Sequence, residues 1–141
     1  EELNENLKES LDFLESQLSP KANLPKGKRV WIGEYGNPSV KYDDETQNER
    51  SIWTIKTGLE WGTPFILYWE MYNNEIKPET GKQIGYWLIT DKGVKQPIWY
   101  THNNFYKEAK AFIKDYYQTN KQIPSFDQFR QNALKFKSLN Q

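Results

Sequence analysis

The sequence predicts a mixed α/β fold in which parallel strands alternate with helices that pack outside them. Two stretches have the branched and aromatic composition of strands: Val30-Trp31-Ile32, and Pro64 to Met71, which reads PFILYWEM. Segments with a helical spacing of apolar residues precede, separate and follow these stretches. Strands that alternate with helices in this way are typical of a parallel sheet with helices on its outside.

A stripe of leucines predicts the first helix. The leucines are separated by steps of four, four, three and four, with polar residues between them: Leu3, Leu7, Leu11, Leu14 and Leu18. A single stripe of this kind indicates a helix that buries one face. Ser19-Pro20 ends the pattern, because the residue before a proline disfavours the helical conformation.

A second helix is predicted between the two strand stretches. Asp43 and Asp44 are candidate N-caps, since their carboxylates accept hydrogen bonds from the first backbone N–H groups of a helix. Its buried face is marked by Ile52, Ile55 and Leu59. Gly62 predicts its end, because glycine readily adopts the left-handed conformation that follows many helices.

The second strand stretch is almost continuously apolar. Such continuity predicts a strand that is covered on both faces, as in parallel sheets. The polar segment YNNEIKPETGKQ then leads to GYWLITDKGVKQPIWY. In this last segment Asp91-Lys92-Gly93 separates two short extended pieces and predicts a β-hairpin.

Two further helices are predicted towards the carboxyl end. The apolar stripe of the first consists of Phe105, Ala109, Phe112, Ile113 and Tyr116. Asn103 and Asn104 are its candidate caps, and His102 is interpreted as a cap or surface residue. Ser125-Phe126-Asp127-Gln128 predicts a capping box for the last helix, whose apolar face consists of Phe129, Ala133 and Phe136.

The predicted strands are too few for a complete parallel sheet. Two strands with apolar faces would leave their edges open to other chains, whereas a complete eight-stranded barrel takes about 250 residues. The 141 residues are therefore interpreted as one partial domain, 1–141, with an extra helix in residues 120–141. We expect its strand edges to promote self-association or pairing with a missing amino-terminal half.

Composition and charge exclude several classes of function. Lys and Arg together equal Asp and Glu at nineteen each, so no charge excess favours nucleic acid or an anionic membrane surface. No apolar run is long enough to span a bilayer. With no cysteine and one histidine, a metal site or a Ser-His-Asp triad is not expected. The six Trp, nine Tyr and seven Phe include candidates for stacking against the apolar face of a sugar.

Three ordered motifs resemble one enzyme group. These are GEYG at residues 33–36, YWEMYNNE at residues 68–75 and GYWLITDKGVKQP at residues 85–97. Together they resemble the last two strands of (β/α)8-barrel glycoside hydrolases of clan A, over roughly residues 1–118. The resemblance implies the C-terminal part of a TIM barrel, a carbohydrate substrate, no cofactor, and an extracellular or cell-envelope location. The sequence by itself does not indicate a compartment.

The resemblance also implies roles for individual residues. Glu34 would be the catalytic nucleophile of a retaining enzyme acting on a β-linked sugar, and Trp69 the platform under the sugar. The general acid/base would lie on a strand that this chain does not contain. Further candidate substrate-binding residues are Tyr35, Tyr68, Glu70, Asn74 and Trp87.

The position of Glu34 agrees with this role on physical grounds. In (β/α)8 barrels the chemistry takes place where strands end on their carboxyl side, and Glu34 follows a strand stretch directly. Gly33 and Gly36 permit close approach of the backbone around it. A carboxylate at a buried strand end otherwise needs a partner, so the alternative is an ion pair with Arg29 or a lysine.

Two other functions remain open at this point. One is a barrel that has lost catalysis and binds carbohydrate on Trp69 and nearby tyrosines. The other is a small structural α/β domain whose aromatic residues all belong to the core. Trp31, Trp53 and Trp61 are interpreted as packing residues under every hypothesis.

Overall fold

The computed structural model describes residues 2–19 and 27–141 and shows a mixed α/β fold that is mostly helical. The helices are α1 (Glu2–Gln17), α2 (Asp44–Trp61), α3 (Pro97–Asn120), α4 (Phe126–Ala133) and a short 3₁₀-helix, Lys137–Leu139. The strands are β1 (Ile32–Tyr35), β2 (Ile66–Tyr68), β3 (Ile76–Lys77) and β4 (Lys82–Gln83). No helix in the described ranges is long and apolar enough to cross a membrane.

The strands form two separate two-stranded sheets, and the described residues contain no closed barrel. β1 pairs in parallel with β2, as predicted, with Ile32 opposite Ile66 and Tyr35 opposite Tyr68. Three steps along β1 therefore match two along β2, which is the geometry of a β-bulge. The bulge places Ile32 and Tyr35 on the same side of the sheet and leaves Gly33 and Glu34 on the other.

The two faces of this parallel sheet have different surroundings. Tyr35, Ile66 and Tyr68 face the helices: Tyr35 packs against the core of α2, and Ile66 lies so close to Gly58 of α2 that a Cβ there would be 2.6 Å from its Cδ1. The opposite face, here called the open face, consists of Trp31, Glu34, Phe65, Leu67 and Trp69. Its apolar side chains are 38–63% exposed.

The open face corrects two predictions. The stretch Pro64 to Met71 is not covered on both sides, because Phe65, Leu67 and Trp69 are 63%, 50% and 38% exposed. Trp31 is 51% exposed and meets Phe65 edge-on at 6.2 Å, so its assignment to the core is wrong. Trp53 is also exposed, at 40%, whereas Trp61 is half-buried.

The core lies on the helix side of the sheet. It joins three residues of α2 to two from the carboxyl end of the chain: Ile52, Ile55, Leu59, Ala133 and Leu139. Phe129 and Phe136 pack against this cluster as predicted. The carboxyl-terminal helix is therefore part of the same hydrophobic core as α2.

Helix ends largely follow local signals. Asp43 caps α2 by accepting a hydrogen bond from the Thr46 backbone N–H at 2.7 Å, and Gly62 ends the helix with φ of 90°. Ser125 and Gln128 form the predicted capping box of α4.

The leucine stripe of α1 is only partly covered. Leu11 is buried, but Leu14 and Leu18 are 50% and 41% exposed. The Leu3 side chain and Pro20 lie outside the described residues.

Helix α3 begins earlier in the chain than the sequence predicts. The helix begins at Pro97, which occupies its first turn, and Gln96 precedes it in an extended conformation. Asn103, Asn104 and His102 therefore lie inside the helix and do not cap it. The apolar and aromatic residues that follow Pro97 resemble a strand in isolation, which conceals the helix start.

The hairpins also differ from prediction. The polar segment after β2 contains the β3–β4 hairpin, with Ile76 opposite Gln83 and Lys77 opposite Lys82. The turn at residues 91–93 is present, with Gly93 at φ 74° and the Thr90 N–H donating to the Val94 carbonyl at 2.9 Å. Its flanks form only single bridges, one of them between Ile89 and Lys95.

The side chain of the single histidine, His102 of α3, lies against the helix-facing side of the parallel sheet. The Nδ1 of His102 is 2.8 Å from the Ile98 carbonyl, which can only accept, so Nδ1 carries the proton. Nε2 then accepts from the Tyr35 hydroxyl at 3.3 Å, and the Tyr68 ring packs against the imidazole at 5.3 Å. Burial lowers the pKa of His102 below its ordinary value.

Acid should therefore destabilise the fold through His102. The unfolded chain, with a histidine pKa of about 6.5, binds the proton first as the pH falls. The stability that this group contributes is complete above about pH 6.5 and is lost as the pH falls through the lower folded-state pKa. We expect the urea midpoint to fall more between pH 7.5 and pH 5 in the natural chain than in His102→Gln. An equal fall in both proteins would contradict this assignment.

Candidate functional site

Glu34 and Trp69 lie at the carboxyl ends of two adjacent parallel strands. Glu34 is in the last part of β1 and Trp69 directly follows β2. The Trp69 backbone N–H donates to the Tyr35 carbonyl at 2.8 Å, which extends the parallel pairing to this point. Both side chains belong to the open face, because their neighbours Tyr35 and Tyr68 point to the helices.

The carboxylate of Glu34 is exposed and has no hydrogen bond or ion pair with any residue in the described ranges. Arg29, its candidate partner, is instead bound to Glu15, with Nε 3.3 Å from Oε1. The guanidinium of Arg29 also donates to the carbonyls of Ser19 at 2.8 Å and Leu18 at 3.0 Å. The interpretation of Glu34 as the partner of Arg29 is therefore wrong.

Gly36 brings the ends of the two strands together. A Cβ on Gly36 would lie 2.4 Å from the Trp69 carbonyl oxygen and 2.6 Å from Cδ1 of the Tyr86 ring. Real Cβ atoms do not approach a backbone oxygen this closely, so only glycine fits here without a shift of the backbone. The approach explains one of the two glycines in the GEYG motif.

A buried polar network supports the turn that follows Glu34. Gln47 of α2 is fully buried, and its Nε2 donates to the carbonyls of Asn37 at 2.5 Å and Gly85 at 3.2 Å. Asn37, 6% exposed, donates to Ser51 at 3.2 Å and accepts from Arg50 at 3.0 Å. The turn is thus fixed to the amino-terminal half of α2.

Trp69 is held by its side chain as well as by its backbone. Its indole N–H donates to Oε1 of Glu75 at 3.1 Å, and 38% of the residue is exposed. The peptide bond between Trp69 and Glu70 is cis. An exposed aromatic ring with a fixed edge can present one flat face to a ligand.

Glu70 and Asn74 lie together in the loop after β2. The Asn74 backbone N–H donates to Oε1 of Glu70 at 3.4 Å, and no contact in the described part of the chain joins either residue to Glu34. Trp87 is half-buried in the segment after β4. Its neighbour Tyr86 packs on Gly36, which brings this segment to the carboxyl ends of the strands.

Tyr35 and Tyr68 are not brought together with Glu34. Their rings meet edge-on at 5.1 Å on the helix side of the sheet. Burial raises the pKa of Tyr68 to about 12 and raises that of Tyr35 as well, so both phenols stay neutral at physiological pH. Tyr35 and Tyr68, which the sequence predicts as substrate-binding residues, therefore lie on the side of the sheet away from Glu34.

Three neighbours of the site are not among the site residues predicted from the sequence, which favours a solvated turn at residues 73–75: Glu75, Asn73 and Tyr86. Asn73 connects the loop after β2 to the segment after β4, since its Oδ1 accepts from the backbone N–H groups of Gly85 at 2.8 Å and Tyr86 at 2.9 Å. The only signal in the sequence is the polar run YNNE beside Trp69. A run of this kind is equally typical of a solvated turn.

The arrangement offers one unpaired carboxylate and one exposed indole on the same face. Among the described residues no group of three or more His, Asp or Glu side chains is placed to hold a metal ion. Comparisons of the chain with models of known protein families, with curated proteins and with solved structures found no match. Function can therefore be inferred only from this geometry and from the strand-end motifs.

Replacing Gly36 by alanine should separate the two strand ends. The new methyl group would overlap the Trp69 carbonyl, and overpacking of this kind costs about 1–3 kcal/mol of unfolding free energy. Gly33→Ala is the matched control, because its Cβ would first meet the exposed Trp31 ring, at 3.2 Å, and that side chain can move. Urea unfolding followed by circular dichroism measures both, and an equal small cost would contradict the close approach.

Proposed function

We propose that this chain is the carboxyl-terminal portion of a (β/α)8-barrel glycoside hydrolase of clan A that cleaves a β-linked sugar with retention of configuration. Glu34 is the nucleophile and Trp69 forms the floor of the sugar subsite. One observation carries the proposal. An unpaired carboxylate and an exposed indole share one face at the carboxyl ends of adjacent parallel strands, where (β/α)8 enzymes carry their active sites.

The reaction is a double displacement. The Glu34 carboxylate attacks the anomeric carbon and forms a glycosyl ester, while a second carboxylic acid protonates the departing glycosidic oxygen. The second group, now a carboxylate, then removes a proton from water while the water oxygen attacks the anomeric carbon. The ester bond to Glu34 breaks, the sugar is released and the Glu34 carboxylate is restored. The two carboxyl groups of a retaining enzyme lie about 5–5.5 Å apart, and the second is supplied by a strand outside this chain.

The environment of Glu34 suits a nucleophile. It is solvent-accessible and has no cation bound to it among the described residues, so its carboxylate oxygens are available for attack. The backbone around it is held by Gly36 and by the polar network on α2. Such support from a rigid scaffold keeps the reacting atom within the narrow range of positions that catalysis requires.

Replacing Glu34 by glutamine in the intact protein should abolish turnover of aryl β-glycosides. We expect kcat to fall by at least about 10³-fold, because the amide cannot form the glycosyl ester. Glu79→Gln, an exposed change in the β3–β4 turn, should leave kcat unaltered. A 2-fluoro glycoside should label the peptide that contains Glu34, as measured by mass spectrometry. Equal activity of Glu34→Gln and the natural protein would remove Glu34 from the mechanism.

A second candidate is a barrel that binds carbohydrate without cleaving it. It is favoured by the exposed Trp69 ring, which Glu75 holds through the indole N–H, and it needs no second carboxylate beside Glu34. Sugar binding without turnover by the intact protein would favour this function, whereas a monomer whose fluorescence does not respond to sugars would favour a structural domain.

We also propose that the open face is covered by the amino-terminal half of the barrel. Each strand of the parallel sheet has one edge without a strand partner in the described ranges. Phe65 and Leu67 are 63% and 50% exposed beside these edges. A parallel strand that adds to the sheet would pair the open edge and bury this apolar surface, as β-sheet augmentation does.

A charge on the open face should weaken this pairing. We expect Leu67→Glu to reduce association of the chain with the separately produced remainder of the barrel, because a carboxylate would be buried at the junction. Ile123→Glu, at a position 73% exposed elsewhere on the surface, is the control. Sedimentation velocity measures association and self-association together. Equal association of both variants would place the junction elsewhere.

A further inference from the structure

We propose that Glu75 is a positioning residue that holds the Trp69 indole in the orientation in which a sugar ring stacks on it. This inference depends on the function proposed above, because it assigns a task to Glu75 within the same subsite. Glu75 lies six positions after Trp69 in the chain, just before β3. Three contacts, taken outward from the indole, hold Trp69 and Glu75 in place.

The first contact is the hydrogen bond from the indole to the carboxylate. Nε1 of Trp69 lies 3.1 Å from Oε1 of Glu75, and a charged acceptor makes such a bond stronger than a neutral one. Trp69 is 38% exposed, so packing alone restrains its ring less than it would restrain that of a core residue. The bond to Glu75 therefore selects one orientation of the ring.

The second contact fixes the other end of Trp69. Its backbone N–H donates to the Tyr35 carbonyl at 2.8 Å, next to Glu34 in the chain. With its backbone held to β1 and its indole edge held to Glu75, the ring has a defined position relative to the Glu34 carboxylate. A ring on which a sugar stacks must have a fixed position, because it must place the anomeric carbon within reach of the nucleophile.

The third contact holds Glu75 itself. Its carbonyl accepts from the Ile84 N–H at 2.9 Å and from Nδ2 of Asn73 at 2.8 Å. Asn73 is in turn bound to the backbone of Gly85 and Tyr86. The β3–β4 hairpin and the segment after it therefore fix the backbone of Glu75. This hairpin is thus part of the candidate site.

The Glu75 carboxylate has no ion pair with a described residue. Its removal therefore leaves no buried cation without a partner. Glu75→Gln keeps a side-chain oxygen that can accept the indole hydrogen bond, whereas Glu75→Leu has none. Glu79→Leu is the matched control, because it makes the same chemical change at an exposed position in the turn of the same hairpin.

The test compares the indole N–H signals of these variants by ¹H–¹⁵N NMR. The chain has six tryptophans, and Trp69→Phe identifies the signal of Trp69. In Glu75→Leu we expect this signal to shift and its hydrogen to exchange with water about tenfold faster, since a hydrogen bond to a charged group is lost. Glu75→Gln should stay close to the natural chain, and Glu79→Leu should be indistinguishable from it.

Sugar binding is measured in the intact protein that also carries Glu34→Gln, with cellobiose and 4-nitrophenyl β-glucoside as the probes. We expect Glu75→Leu to raise the dissociation constant about tenfold and Glu75→Gln to restore most of the affinity. An unchanged indole signal together with unchanged affinity in Glu75→Leu would overturn the role of Glu75 and leave the sugar site intact. If Glu75→Leu shifts the indole signal but the protein with Glu34→Gln alone binds neither probe, then Glu75 anchors Trp69 but Trp69 does not bind these sugars.

Discussion

The contact between the Gly36 backbone and the Trp69 carbonyl is the constraint on which the rest of the candidate site depends. It brings the carboxyl ends of β1 and β2 so close together that a side chain at position 36 would overlap the Trp69 carbonyl. The bulge in β1 comes directly before it, so the chain turns Glu34 away from the helices while Tyr35 stays in the core. Position and direction of the carboxylate thus follow from one glycine and one extra residue in a strand.

The parallel sheet is stabilised from one side only. A two-stranded sheet is marginal by itself, and here α2 and α3 cover the face that carries Ile66 and Tyr68. The side chains of the open face remain largely in contact with water, although several are large and aromatic. Contiguous apolar surface of this kind marks an interaction site in most soluble proteins. The same face carries Glu34. The apolar surface that we expect a partner to cover is therefore adjacent to the proposed nucleophile.

Rigidity around the site comes from side-chain amides that are buried or half-buried and hydrogen-bonded to other segments of the chain. Gln47 and Asn37 connect the turn after β1 to α2, and Asn73 connects the loop after β2 to the segment after β4. Gln47 and Asn73 bond mainly to backbone atoms, which fixes the course of the loops. Asn37 bonds instead to the side chains of Ser51 and Arg50. Loops that are held in this way by a rigid scaffold are where binding and catalytic residues usually occur.

The sequence by itself determined the features that depend on near neighbours in the chain. The cap at Asp43, the stop at Gly62 and the capping box at Ser125 are local hydrogen-bonding patterns, and the order of the four α-helices and the two parallel strands follows from short-range apolar spacing. The sequence also predicts that Glu34 lies at a strand end. It does not reveal the start of α3, because the residues after Pro97 have strand-like side chains, or the β3–β4 hairpin, because its polar residues resemble a loop.

Only the tertiary structure decided which side chains share a face. Trp31 and Trp69 are on the open side, and Tyr35 and Tyr68 are on the helix side, because a one-residue bulge and the packing of α2 and α3 set the direction of every residue in the sheet. The bond between Trp69 and Glu75 likewise needs the hairpin to be folded beside the strand ends. Contacts of this kind join residues whose spacing along the chain carries no local signal, so they become visible only when the elements are packed together.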